Sequence, residues 1–223
     1  MIDTPMRPLR LLACLLALFG GLPAAVAAAP PFAEGAGAQA LTFSVVRNGE
    51  VIGTHALAFN RHGGTVEVAI DISIKVKALM VTAYHFEQHG TEIWEGERFK
   101  SLSVTTDDDG ERHQVAAEPT ATGLKVSADG QVAEISPMAI ATLWRVQPPQ
   151  SEWLLDPSDG KPSKVMVADT GEETITVRGK PTAARHWVWD GELKRDLWYD
   201  GSGVLVQARF KGDDGSDIFY VLR

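Results

Sequence analysis

From Leu41 onward the chain alternates apolar and polar residues with a period of two. Leu41, Phe43 and Val45 are separated by Thr42 and Ser44. The clearest run follows at Val66, Val68, Ile70, Ile72, Ile74 and Val76, with Glu67, Asp71, Ser73, Lys75 and Lys77 between them. A helix would scatter these aliphatic residues around its circumference, whereas a half-buried strand lines them up on one side. Alternation this regular suits an antiparallel sheet with one wet face. Met80 to Trp94 continues the pattern, with Tyr84 and Phe86 on one face and His85, Glu87 and His89 on the other.

Further short strands are predicted near 98–106, 111–118, 123–128, 163–169, 173–179, 182–190, 193–199, 203–210 and 216–222. Turn residues separate most of them. Asn48-Gly49 is the dipeptide of a two-residue hairpin, in which both central residues need positive φ. A strand–turn–strand unit occurs twice: Glu92-Ile93-Trp94 leads through Gly96 to Asp108-Asp109-Gly110, and Asp196-Leu197-Trp198 leads through Gly201 to Asp213-Asp214-Gly215. Part of it recurs at Trp153-Leu154-Leu155-Asp156. Repetition of this kind favours architecture over catalysis. The acidic ends lack the alternating oxygen ligands and distant glutamate of a calcium loop, so they read as hairpin tips.

One segment reads as a helix. Ser136 is a suitable N-cap, Pro137 suits the first helical position, and Met138, Ala141, Leu143 and Trp144 supply an apolar face up to Val146. Pro148 and Pro149 then stop it. The fold expected from these patterns is all-β with one short helix. It is a strongly curved antiparallel sheet or partly open β-barrel, with helix 137–146 packed on the concave face.

Residues 1–28 read as a secretory signal: Arg7 and Arg10, the apolar run Leu11 to Phe19, then small residues from Ala24 to Ala29. The apolar run is too short to span a bilayer, which needs about 20 residues. Cys14 is the chain's one cysteine. Most of the apolar run follows it, whereas a lipoprotein signal places that run before the cysteine, so Cys14 is expected to leave with the signal. That excludes disulfides, thiol nucleophiles and cysteine-ligated zinc from the mature protein. Residues 29–39 read as a flexible lead-in and 40–223 as a single β-rich domain, expected in the periplasm or secreted. The whole chain carries a net charge of −8. This argues against nucleic acid and anionic headgroups as partners. No transmembrane segment is predicted, and the oligomeric state is left open.

Candidate chemistry is sparse. His85-x-Glu87-x-His89 shares one strand face and so forms the candidate metal set, against which stands a solvated face paired to Lys75 and Lys77 on the neighbouring strand. No cofactor is expected, because no phosphate-binding, dinucleotide or G-x-S-x-G motif occurs. Six tryptophans are available to line a cavity or fill a core. The candidate ligand-binding set is Tyr84, Phe86, Trp94, Trp144 and Trp198, and Trp187 with Trp189 is the candidate surface platform.

The stretches "NGEVIGTHALAF", "VTAYHFEQHGTEIWEGERFKSL", "TLWRVQPPQSEWLLDPSDG" and "DLWYDGSGVLVQARFKGDDGSDIFYVL" resemble a family of exported bacterial proteins known only as a domain of unknown function. That resemblance brings no activity or catalytic residues. More distantly, the Trp-Tyr-Asp hairpin is similar to those of periplasmic lipoprotein carriers, which implies an unclosed antiparallel barrel with helices over its concave face. The leading expectation is a non-enzymatic exported protein that binds or carries an apolar or amphipathic small molecule or lipid. A structural or interaction protein of the envelope is the second, and a metal-dependent enzyme using His85, Glu87 and His89 the third.

Overall fold

The computed structural model describes residues 39–78, 81–149, 151–212 and 214–223. The signal and almost all of the lead-in fall outside these residues. Fifteen strands form one sheet. They are β1 (Gln39–Arg47), β2 (Glu50–His62), β3 (Thr65–Ala78), β4 (Val81–Glu95), β5 (Arg98–Asp108), β6 (Glu111–Pro119), β7 (Leu124–Ala128) and β8 (Gln131–Ile135). There follow β9 (Ala139–Ile140), β10 (Trp153–Leu155), β11 (Pro162–Val177), β12 (Lys180–Gly191), β13 (Arg195–Asp200), β14 (Leu205–Lys211) and β15 (Asp217–Leu222). The spatial order runs from β8 down to β1, then β15 down to β9. The chain therefore meanders outward in both directions from a β1–β15 seam. Neighbours are antiparallel except β9 and β10, which run parallel.

The period-two pattern explains why these segments are strands. Phe43, His55, Leu57, Phe59, Val68, Ile70, Ile72 and Ile74 are all buried, while Glu67, Asp71 and Lys75 between them are exposed. Register carries the buried row across strands, from Leu222 to Phe43, His55, Ile72, Gln88 and Thr106. This buried side is the inner face. The sheet rolls until its far end lies on its beginning: Ile140 and Leu155 pack with Leu102, Val104, Val115, Leu124 and Val126 of β5–β7. Glycine permits the closest approach there, because a Cβ on Gly160 would lie 2.8 Å from the Ala128 methyl.

The expected architecture needs correcting. It is one large open sheet, bounded by β8 and β9, and the described residues contain no helix to pack on a concave face. Residues 137–146 instead form the two-residue β9 and then an irregular strap that crosses the interior. The reason lies in donors. In a helix the carbonyls of Trp144 and Arg145 would accept from residues 148 and 149, but both are prolines without an N–H. Tyr199 meets one of these, its single hydroxyl proton shared between the carbonyls of Arg145 (3.2 Å) and the neighbouring Leu143 (2.8 Å). A three-turn helix is marginal by itself, so these tertiary bonds decide the conformation.

The turns follow their local chemistry. Asn48 and Gly49 both have positive φ (52° and 81°), as do Asp109 and Gly110 (51° and 97°). The second acidic stretch works differently. Asp200 Oδ1 accepts from Ser202 N (2.9 Å) and Ser202 Oγ (2.7 Å). Asp156 holds Ser158 and Asp214 holds Ser216 in the same way. The recurring Asp-x-Ser is thus a turn device in which the carboxylate replaces a backbone acceptor.

Candidate functional site

The strap end of the interior is built around a buried acid. Glu92 lies on β4 between Gly90 and Trp94, on the inner face, and is 0% exposed. Its Oε2 accepts from the indole N–H of Trp94 (2.8 Å) and from that of Trp144 (3.0 Å), across 52 residues of sequence. The two indoles meet edge-on at 5.9 Å, and Trp144 meets Phe59 at 5.4 Å. The Arg145 guanidinium lies 4.2 Å from the Trp94 ring centre and donates to the Gly96 carbonyl. Glu92 Oε1 has no hydrogen-bond partner. Burial pushes the Glu92 carboxyl above the usual glutamate range, and the two indoles, the Thr142 hydroxyl and Arg145 pull the other way. This end is filled with side chains.

The opposite end of the inner face is different. Tyr84 and Phe86 on β4, Phe210 on β14 and Ile218 on β15 are only half-buried although they lie on the apolar side. Deeper in sits His55, 4% exposed, with no partner for either ring nitrogen. Its ring lies 5.2 Å from Tyr220 and 5.7 Å from Phe43. Burial holds the imidazole down to about 4, against a smaller opposing pull from Asp71, so it is neutral at pH 7. Tyr220 packs edge-on against Phe210 at 4.6 Å, and the Arg195 guanidinium lies 4.8 Å from the Phe210 ring centre. Gln88 donates to Thr106 Oγ1 (3.1 Å) in the same buried row.

The structure thus divides the predicted ligand set. It brings Trp94 and Trp144 together on Glu92, and leaves Tyr84 and Phe86 at the other end of β4. Trp198 joins neither group: its ring stacks on His186 at 4.5 Å and its N–H donates to Glu173. The Trp187–Trp189 pair is not an exposed platform, since Trp189 is 2% exposed and Trp187 packs against the core.

The three candidate metal residues are each held by a different neighbour. His85 bonds Asp107 (3.1 Å) and Asp109 (3.2 Å), Glu87 pairs with Lys75 (3.5 Å), and His89 pairs with Asp71 (2.8 Å). Among the described residues no group of three acids, histidines or cysteines is placed to share a metal ion. Two shallow depressions lie near these strands, of about 510 and 550 Å³. They share His89, and neither is lined by an aromatic ring other than histidine.

Sequence reading missed Glu92, His55 and Arg195. The available signal was parity: Glu92 has the parity of Phe86 and Trp94, and His55 that of Leu57 and Phe59, so both are polar residues on an apolar face.

The chain belongs to a family defined as a domain of unknown function (DUF6134), whose model matches residues 43–223. No match exists among curated proteins. Among solved structures it is similar to a beta-barrel-like protein of another domain of unknown function, DUF1849, from Brucella abortus. The TM-score is 0.60 at 8% identity, covering 82% of this chain and 94% of that one. At that identity the likeness concerns the fold alone.

Proposed function

We propose that this protein is a non-enzymatic, exported envelope protein that binds an amphipathic small molecule at the open end of its rolled sheet. The observation that supports this reading is the contrast along β4. Trp94 is packed shut under the strap, while Tyr84 and Phe86, on the same face, stay half-buried beside a buried polar group. Binding sites are characteristically concave and apolar with a few placed polar groups. Among the described residues, five large apolar residues are well exposed, Val51, Val81, Val132, Trp153 and Met166, and they lie on several different strands. That scatter favours a small ligand over a broad protein-binding patch.

Native mass spectrometry of the protein isolated from the cell envelope tests the proposal. The expected spectrum shows the mature chain plus a mass that organic solvent extracts. A spectrum of the bare chain, together with no binding of an environment-sensitive fluorescent amphiphile, overturns it.

A further inference from the structure

Arg195 is a half-buried cation that forms no ion pair among the described residues. It follows the register of Leu197 on β13, two residues along the same face, and so points to the inner side beside Phe210. It donates to the adjacent Lys194 carbonyl (2.9 Å). The acid that acts on it electrostatically is Asp156, but Asp156 Oδ1 is occupied by the Ser158 N–H and hydroxyl. A guanidinium presents a rigid fork of donors that matches a carboxylate. Leaving it partly buried and unpaired is costly unless something else completes it.

His55 makes the same point independently. A neutral imidazole carries one donor and one acceptor, and both are buried without a partner. Orphaned groups of this kind are destabilising and rare in native proteins. The two unsatisfied side chains are linked by rings in contact, from Arg195 to Phe210, Tyr220 and His55. Around them are Phe43, Ile72 and Phe86. One positive charge, one neutral imidazole and one phenol in an apolar setting suit a single negative charge on a greasy molecule.

We infer that the Arg195–Tyr220–His55 group recognises the carboxylate of an amphipathic acid, whose hydrocarbon lies toward Phe86 and Tyr84. This rests on the reading of an amphiphile at the open end and names its chemistry. Arg195 supplies the charge-assisted bonds. His55 supplies a neutral donor that a hydrocarbon cannot use.

The test is displacement of a dansylated undecanoic acid from the full mature chain at pH 7.5. The competitors are dodecanoate, dodecanol and dodecyltrimethylammonium, each below its micelle concentration. Dodecanoate is expected to compete at least tenfold better than dodecanol, and the ammonium to be the weakest. Arg195→Gln is expected to weaken the acid probe and dodecanoate together and to abolish the preference for dodecanoate over dodecanol. His55→Phe is expected to weaken dodecanoate severalfold. Equal competition by acid and alcohol in the unmodified protein overturns the carboxylate assignment and leaves the amphiphile reading standing. No binding of the probe, with none of the three compounds detected on the protein by native mass spectrometry, overturns both. The comparison among ligands uses the unmodified chain, so it decides the matter even if a variant fails to fold.

Discussion

The two ends of the inner face solve the same problem in opposite ways. Each carries a polar group within an apolar wall. At the strap end Glu92 Oε2 has two indole donors, although Oε1 has none, and the strap holds its course because Glu92 and Tyr199 tie it down. At the open end His55 has nothing and Arg195 has one carbonyl. Satisfied buried polar groups fix a unique conformation, while unsatisfied ones mark a place where stability is given up for something else. That contrast makes the strap end architecture, and it is what supports the proposal of recognition at the open end.

Breaking the strap end has the largest expected effect. Glu92→Ala removes the shared acceptor of two buried indoles and opens a cavity, so we expect a loss of about 3–5 kcal/mol in urea unfolding. Trp144→Phe keeps most of the packing but removes one donor, for about 1–3 kcal/mol.

Glu92→Gln sharpens the contrast through pH. Because the folded carboxyl holds its proton to higher pH than the unfolded one, the unfolded chain ionises first as pH rises. The contribution is therefore intact below the ordinary glutamate value of 4.5. It declines as pH rises from there through the raised folded value, then levels off. Glu92→Gln is expected to flatten that part of the stability–pH curve, as read from melting temperatures between pH 4 and 8.

At the open end the sign reverses. His55→Phe removes an orphaned polar ring and is expected to raise stability by about 1 kcal/mol while weakening acid binding. The smallest effect is expected at His89→Ala, which loses only an exposed pair with Asp71 and should stay within about 0.5 kcal/mol in the same urea assay.

The inner row of β3 was legible because Val66 to Val76 never breaks step, and the Asn48-Gly49 turn because only a few residue pairs suit it. Three things were not. The strap carries a good helix start and an apolar face, and what overrides them is a hydroxyl 54 residues away on Tyr199. β11 reads as two strands because a bulge between Asp169 and Gly171 shifts its register. β8 lacks alternation, since Val132 and Ile135 fall on opposite faces, and four of its five residues are exposed. Of the candidate site, Tyr84 and Phe86 were visible from parity. Glu92, His55 and Arg195 were passed over because a charged or polar residue in a strand is ordinarily assigned to water, and only its phase against its neighbours says otherwise.

Tyr199 grips the strap by main-chain oxygens, which every amino acid possesses. The Tyr199 bond therefore makes no demand on the side chains at 143 and 145, although Arg145 has its own hold on Trp94 and the Gly96 carbonyl. Position 144 is different, because there the grip is on an indole nitrogen that only tryptophan provides. A related chain lacking that tryptophan should then also have lost the acid it answers to.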